Sequence, residues 1–209
     1  MTGDASILYD AGTLALERGQ IGEAVALLAA ARRIDPRAAD ARRNLAIAES
    51  QVIAARGESP PAIPSGPSFS LSTAEGWWLA ALLLLAGAAS GILALRGRRP
   101  ERARLFRVAA IVAIATGLSL TAWLGAGADR ERRHPEAVVV AASVEARRGV
   151  DEAPRTPILL RAGERLRTGR TRGEDVEVIL GGSPVGWVPR VALWHVAEAP
   201  RYTGGLRSK

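Results

Sequence analysis

Cysteine is absent from this 209-residue chain, which has only two histidines and an aromatic content of 4%. Without cysteine, the chain can form neither a structural disulfide nor a thiolate metal site. The histidines, His134 and His195, are far apart, and neither has Asp or Glu neighbours at ligand spacing. We therefore expect no metal, cofactor or catalytic role for them. Because the sequence also lacks a nucleophile elbow and a phosphate loop, it indicates a protein that is not an enzyme.

Acidic residues are too few to balance the arginines, and most of the formal net charge of +7 lies in one short segment. Residues 96–107 contain a single acidic residue, Glu101, and six arginines: Arg96, Arg98, Arg99, Arg102, Arg104 and Arg107. A nucleic-acid interface would need an accessible basic face together with base-reading residues. No recognition motif of that kind accompanies these arginines, so we expect no nucleic-acid partner.

Charge is missing from the two 19-residue runs that flank this segment, residues 77–95 and 108–126. As a helix, each run would span about 28 Å, close to the roughly 30 Å hydrocarbon core of a bilayer. Leu and Ile in the first run favour insertion by about 4 kcal/mol, whereas one central Arg would cost roughly 3 kcal/mol. We therefore predict two transmembrane helices rather than a pair of buried helices in a water-soluble core.

The arginines between the runs then serve as a topology signal, because short loops rich in Lys and Arg stay on the cytoplasmic side during insertion. Trp77 and Trp78 begin the first run, and Trp123 lies near the end of the second. A helical hairpin would place all three at the outer membrane–water interface, where tryptophan is favoured. These features predict a two-pass membrane protein, with the basic loop cytoplasmic and the other segments outside the cytoplasm.

The N-terminal segment has the pattern of a helical hairpin over residues 6–34. Gly19 and Gly22 mark the turn between its helices, and Pro36 stops the second helix. A third helix over residues 38–56 has an apolar stripe and is expected to cap the hairpin. This small array leaves an open face, which a partner, a second copy or additional upstream sequence would cover.

The spacing of small and large residues in this hairpin resembles the 34-residue tetratricopeptide repeat over residues 5–38. The matching positions are Leu8, Gly12, Ala24, Leu28, Ala31 and Pro36. The resemblance implies that Gly12 and Ala24 let two helices approach while Leu28 fills the space beside them. It also implies a small, mostly apolar peptide groove on the first helix, formed by Tyr9, Thr13 and Leu16. The alternative is that these side chains contact a neighbouring helix.

Proline and serine are frequent in residues 57–76, which predicts a semi-extended linker before the membrane. Within the apolar runs, Gly87 and Gly91 form a G-x-x-x-G spacing, and Ala113 and Gly117 form a similar small-residue spacing. Such spacings permit dimerisation through Gly87 and Gly91. They also suit the packing of two helices within one hairpin, which is the interpretation we favour.

Beyond a charged linker, short β-branched runs separated by Gly, Pro and charged residues predict a small barrel over residues 137–197. The turn at 161–166 and the "GWV" tripeptide resemble the bacterial SH3-like domain. The tripeptide residues expected in the barrel core are Gly186, Trp187 and Val188. The alternative for Trp187 is a ligand-binding platform, and the domain's ligand stays unassigned.

The predicted fold class is a multidomain membrane protein with an α-helical tetratricopeptide hairpin, a two-helix transmembrane hairpin and a small all-β SH3-like barrel. Its predicted segments are a repeat with a capping helix (1–56), a linker (57–76), a first membrane helix (77–95), a basic loop (96–107), a second membrane helix (108–126), a charged linker (127–136), the SH3-like domain (137–197) and a tail (198–209). This order resembles the E-type members of the Bacteroides aerotolerance (Bat) family.

The family resemblance implies a non-enzymatic scaffold or adaptor of the bacterial inner membrane, in an aerotolerance or envelope-stress complex. Members are encoded beside MoxR-type ATPases and membrane proteins with von Willebrand A domains, which are therefore the expected partners. Members usually begin with a signal peptide, which the first ten residues do not resemble. We expect either a longer native N-terminus or a repeat that is not translocated. The alternative function is a cell-wall sensor or tether whose SH3-like domain binds peptidoglycan.

Overall fold

The computed structural model describes residues 3–57, 72–96, 100–147 and 158–198. Within these residues the helices are α1 (Gly3–Glu17), α2 (Ile21–Ile34), α3 (Ala39–Arg56), α4 (Thr73–Arg96) and α5 (Pro100–Arg133). The strands are β1 (Glu136–Val139), β2 (Ser143–Ala146), β3 (Ile158–Arg161), β4 (Arg165–Arg172), β5 (Asp175–Leu180), β6 (Ser183–Pro189) and β7 (Leu193–His195). Single turns of 3₁₀ helix at Arg190–Ala192 and Val196–Glu198 flank β7.

The described residues divide into two compact units, and each is considered by itself. The mixed unit contains the described residues of 1–70 and 131–209, so it joins α1–α3 to the strands. The hairpin unit contains the described residues of 71–130. The mixed unit therefore combines two parts of the chain that the hairpin separates in sequence.

Small residues bring α1 and α2 close together in the mixed unit. A Cβ atom at Gly12 would lie 2.8 Å from Cγ of Leu28, so only glycine leaves room for that leucine. The other repeat-packing positions that are buried are Leu8, Ala24, Leu28 and Ala31. Pro36 lies just after the end of α2, where it cannot continue the helix.

The strands form a five-stranded antiparallel sheet in the order β6-β5-β4-β1-β7 and a two-stranded antiparallel ribbon of β2 and β3. A bridge between Arg147 and Trp187 links the ribbon end to β6. Alternate residues of the strands point inward and form a core, as the period of two requires. Its largest members include Leu160, Leu166, Val176, Val178, Val188 and Leu193. The predicted small antiparallel β region is confirmed.

A second core joins the helices to the sheet. Val138 of β1 and Val196 after β7 belong to the same buried cluster as Val25, Leu28 and Leu45 of the helices. Strand alternation explains why β1 contributes to both cores, because Val138 faces the helices while its neighbours on β1 face the core of the sheet. The helical and β segments thus stabilise each other by burying apolar surface in common.

The contact between α2 and β1 requires glycine at position 22. A Cβ atom there would lie 2.6 Å from the carbonyl oxygen of Val139 and 2.8 Å from Cα of Val140. The prediction that Gly22 marks the interhelical turn is therefore wrong, since this glycine lies inside α2 and permits close approach to the strand. Gly19 does lie in the turn, with a φ of 72° that favours glycine.

The hairpin unit consists of α4 and α5 packed antiparallel. Gly76 lies against Leu124, Gly87 against Ile114, and Gly117 against Leu84. A Cβ atom at Gly91 would meet no atom within 4 Å. Packing within the hairpin therefore accounts for Gly87, as favoured above. Trp77, Trp78 and Trp123 lie at one end of this hairpin and are exposed by 42%, 72% and 47%.

Both hairpin helices, of 24 and 34 residues, are long and apolar enough to cross a membrane, as predicted. Two predicted boundaries are wrong, because the basic loop at 96–107 and the charged linker at 127–136 are largely helical. Pro100 suits a first helical turn, where its missing N–H is not needed. Polar residues such as Arg, Glu and Asp then continue the helix, since charge does not interrupt α-helix geometry.

We expect Gly22→Ala to destabilise the mixed unit, because the added methyl group would overlap the backbone of β1. The expected loss in free energy of unfolding is about 1–3 kcal/mol, even though alanine is the better helix former. This loss can be measured by unfolding the full-length protein with urea in detergent and monitoring tryptophan fluorescence. Gly127→Ala is the control, since a Cβ atom there meets no atom within 4 Å. Equal midpoints for Gly22→Ala and the wild type would contradict this account.

Candidate functional site

A groove with a volume of about 430 Å³ lies in the mixed unit, between the C-terminal half of α3 and the outer face of the β2–β3 ribbon. Its helical side is formed by Ile21, Gln51, Val52 and Ala55. Its ribbon side is formed by Ala142, Ser143, Leu159, Arg161 and Ala162. Most of these side chains are apolar, so the groove suits an apolar segment better than a highly charged ligand.

Strand alternation in β3 creates the ribbon side of this groove. Leu160 points into the core of the sheet and is fully buried, whereas Leu159 and Arg161 point the opposite way. Leu159 is 45% exposed, and Ile158 at the start of the strand is 40% exposed. The groove therefore presents a large aliphatic side chain to solvent, which is typical of a contact surface for another chain.

Arg161 connects the ribbon to the end of α3. Its Nη1 atom donates a hydrogen bond to the carbonyl oxygen of Ala55, in the last turn of the helix. Those carbonyls lack intrahelical donors and carry the negative end of the helix dipole, so a guanidinium stabilises them. The contact holds β3 beside α3 and so contributes to the shape of the groove.

A second arginine, Arg165, fixes the same helix to the sheet. Its guanidinium lies 2.8 Å from Glu49 of α3 and 2.6 Å from Glu136 of β1. Burial alone would lower the pKa of Arg165, but the carboxylates of Glu136 and Glu49 outweigh burial and raise that pKa above its ordinary value. Such a three-residue ionic contact is geometrically specific, so it favours a single register of α3 on the sheet.

His195 participates in a local contact within the sheet. Its Nε2 atom lies 3.2 Å from Oγ1 of Thr168, whose hydroxyl also donates to the carbonyl oxygen of Pro135. Burial lowers the pKa of His195; Glu198 partly opposes this effect, and Arg190 adds to it.

The carbonyl oxygen of His134 accepts a hydrogen bond from Arg167. Across the described ranges, no group of three or more His, Cys, Asp or Glu residues is placed to hold a metal ion.

The predicted peptide-groove residues of α1 lie apart from the groove described above. Asn44 of α3 donates a hydrogen bond to Oγ1 of Thr13 at 3.0 Å and lies 3.4 Å from the hydroxyl of Tyr9. Tyr9 and Leu16 also pack against the buried cluster of the helices. The structure therefore brings Tyr9, Thr13 and Leu16 into contact with neighbouring helices, as in the alternative given above.

Two of the three "GWV" residues lie in the core of the sheet, and the third does not. Gly186 and Val188 are buried, whereas Trp187 is half-buried on the opposite face of β6. The prediction that Trp187 is a core residue is wrong, because adjacent residues of a strand point to opposite faces. Gly186 is needed for close approach, since a Cβ atom there would lie 2.6 Å from the carbonyl oxygen of Arg147.

The arginines predicted as a topology signal lie at the end of the hairpin unit away from the tryptophans. Arg96 ends α4, while Arg102, Arg104 and Arg107 lie in the first turns of α5, and all four are exposed. Arg98 and Arg99 lie outside the described residues. The four described arginines therefore lie in helical turns at the ends of α4 and α5.

The groove residues were not predicted as a site from the sequence. The apolar stripe predicted on the third helix gives no indication of what covers it. The available signal is that Leu159 and Leu160 are adjacent in the sequence, because two adjacent leucines in a strand must face opposite sides. One of them therefore has to lie on a second apolar surface.

Comparison of the chain with protein-family models, with curated proteins and with solved structures finds no match in any of the three. The resemblances to the tetratricopeptide repeat, the SH3-like domain and the Bat family accordingly remain hypotheses.

If the groove binds a partner segment, a photo-crosslinking side chain at Gln51 should form an adduct of defined mass in cells, whereas one at Arg172 should not. Both positions are exposed, but only Gln51 borders the groove. Leu159→Ser in the same chain should reduce the adduct about fivefold or more, because an aliphatic contact worth about 1 kcal/mol or more is lost. Val191→Ser removes an aliphatic side chain that is 87% exposed and serves as the control. Equal adduct yields in the two variants would show that the groove is not the contact surface.

Proposed function

We propose that this protein is a non-enzymatic, membrane-anchored scaffold that holds partner proteins against its mixed unit. The observation that supports this proposal best is the apolar groove formed where α3 meets the ribbon, with Leu159 exposed in it. Arg161 lines this groove, and both Arg161 and Arg165 are held in contacts that connect α3 to the strands. Their geometry fits a role in shaping a binding surface better than a role in catalysis.

The membrane anchor would be the helical hairpin of α4 and α5. Each helix carries an uncharged 19-residue run, and exposed arginines surround the end where the two runs are joined. In a bilayer, that end would face the cytoplasm, with the tryptophans at the opposite interface. The proposed location is therefore the bacterial inner membrane, with the mixed unit on its outer side.

The shared core supports two membrane crossings, because it joins segments that precede and follow the hairpin in the sequence. Val138 and Val196 follow the hairpin, yet they are buried with Val25 and Leu45, which precede it. Segments that share a core must lie in the same compartment. Two membrane crossings between them satisfy this requirement, whereas one crossing would not.

The expected partners follow from the proposed relationship to the Bat family. In that relationship, the helical segment corresponds to the tetratricopeptide repeat and the β region to the SH3-like domain. Membrane proteins with von Willebrand A domains, acting with a MoxR-type ATPase, would be the proteins that the scaffold assembles. The proposed setting is aerotolerance or resistance to envelope stress.

Labelling with a membrane-impermeant maleimide tests the topology cleanly, since the chain contains no native cysteine. Ser50→Cys in α3 and Glu174→Cys in the β4–β5 turn are exposed positions on the two segments of the mixed unit. We expect both to react in intact cells, whereas Arg104→Cys should react only after the membrane is permeabilised. If Arg104→Cys alone reacts in intact cells, the mixed unit is cytoplasmic. If only one of Ser50→Cys and Glu174→Cys reacted in intact cells, the two segments would lie in different compartments, which would contradict the shared core.

A second candidate function is a cell-wall tether or sensor, and the position of Trp187 favours it. This side chain is half-buried on the outer face of β6, and Trp187 pairs with Glu177 of β5 on one side and with Arg147 on the other. A partly exposed indole between polar residues can stack on a sugar ring or a peptide, so it suits recognition of peptidoglycan.

Sedimentation with purified sacculi tests the tether function. The full-length protein in detergent is the appropriate sample, because the sheet buries Val138 and Val196 against the helices. We expect wild-type protein to sediment with the sacculi and Trp187→Ala to lose about tenfold in affinity, with Val191→Ser as the surface control. Wild-type protein that stays in the supernatant would rule out this function and leave the scaffold proposal standing.

A further inference from the structure

The face of α1 that points away from the core carries a stripe of alternating apolar and acidic residues. We call Ile7, Asp10, Leu14 and Glu17 the α1 stripe. Ile7 is 38% exposed and Leu14 is 43% exposed, and both acidic residues are exposed as well. The spacing of three, four and three residues places all four on one line along the helix.

The stripe is separate from the packing face of α1. The residues buried against α2 are Leu8, Gly12 and Ala15, which lie on the opposite side of the helix. It is also separate from the groove, whose lining residues come from α2, α3 and the ribbon. Any partner of the stripe would therefore bind at a surface distinct from the groove.

The residue types of the stripe define the chemistry of a partner. Ile7 and Leu14 lie seven residues apart, and so do Asp10 and Glu17. Apolar and acidic residues therefore alternate along the stripe. This seven-residue spacing is the repeat that two helices use when they pack along a common seam. The two carboxylates at seam positions require cationic side chains opposite them, while the two aliphatic side chains require apolar ones.

We propose that the α1 stripe binds a basic amphipathic helix of a partner protein. In that helix, Lys or Arg would alternate with Leu, Ile or Val at the same spacing of three and four residues. The cations would lie opposite Asp10 and Glu17, and the apolar side chains would pack against Ile7 and Leu14. The scaffold would then have two contact surfaces, one for an apolar segment in the groove and one for a basic helix on α1.

Charge argues against a second copy of this chain as the occupant. Two stripes in contact would bring four carboxylates together, and like charges at a helix seam are destabilising. Arg18 follows the stripe in the turn after α1, so the two copies together would supply only two such cations against those four carboxylates. A basic partner helix would neutralise them.

The test uses the full-length protein in nanodiscs of zwitterionic lipid, which do not attract basic peptides by charge. The probe is a fluorescent, alanine-based helical peptide of about twenty residues, long enough to form a helix, with Leu and Arg alternating along one face. A second peptide carries Glu in place of Arg. Fluorescence anisotropy measures both affinities, and empty nanodiscs provide the background.

We expect the basic peptide to bind the wild type saturably and the acidic peptide not to bind. The double variant Asp10→Lys with Glu17→Lys should lower the affinity for the basic peptide about tenfold or more, because two ion pairs are reversed. The same variant should bind the acidic peptide. Leu14→Ser should lower the affinity for the basic peptide, but this variant should still prefer the basic peptide to the acidic one. Glu145→Lys with Glu174→Lys makes the same change in net charge at other exposed positions and should leave both affinities unchanged.

Absence of saturable binding to the wild type would overturn the proposal, as would equal weakening by the two lysine pairs, which would indicate an effect of net charge alone. A concentration-dependent dimer that Leu14→Ser dissociates would instead assign the stripe to a second copy of the chain. Unchanged urea midpoints in all variants establish that the substitutions act on binding and not on folding.

Discussion

The packing of the mixed unit depends on the contacts around the carbonyl oxygen of Val139. At this atom β1 meets both α2 and the turn between β3 and β4. Gly22 of α2 lies against this carbonyl without a side chain between them. The backbone N–H of Gly163, in the turn between β3 and β4, donates a hydrogen bond to the same oxygen at 2.8 Å. Gly163 in turn faces Val52 of α3, with a φ of 86° that an L side chain rarely adopts. Helices and sheet can thus approach closely only because both positions are glycine.

The position of the groove follows from this contact. Once Gly163 is set against Val52, the ribbon lies alongside the end of α3, and Arg161 reaches the terminal carbonyls of that helix. Arg165, a few residues later on β4, reaches Glu49, which lies nearly two turns before Ala55 on α3. Two arginines on consecutive strands of the chain therefore hold the C-terminal half of α3, and the uncovered space beside them is lined mostly by apolar side chains. The groove is a result of joining two segments and belongs to neither alone.

Local patterns in the sequence predicted the elements well, and their assembly poorly. The uncharged runs predicted α4 and α5, because a bilayer-length apolar helix has a strong local signal. The β-branched runs predicted the antiparallel region, and the small residues of α1 and α2 predicted where these helices meet. By contrast, the predictions of a turn at Gly22 and of a core position for Trp187 are wrong. Their roles depend on β1 and on the alternation of β6, which local spacing does not reveal. The groove likewise joins Val52 to Leu159, residues about one hundred positions apart, and no local pattern encodes that contact.

The division of the mixed unit between the two ends of the chain imposes an order on its biosynthesis. α1–α3 leave the ribosome first, but the strands that cover Ile21 and Val25 follow the hairpin, and Val196 comes about 140 residues after α3. At 5–20 residues per second, that interval lasts on the order of ten seconds. Until then, the helical segment exposes the aliphatic side chains of α2 and α3 that later form the shared core. Completion of the unit must therefore wait for the hairpin to emerge, and the early helices have to be kept from aggregating during that time.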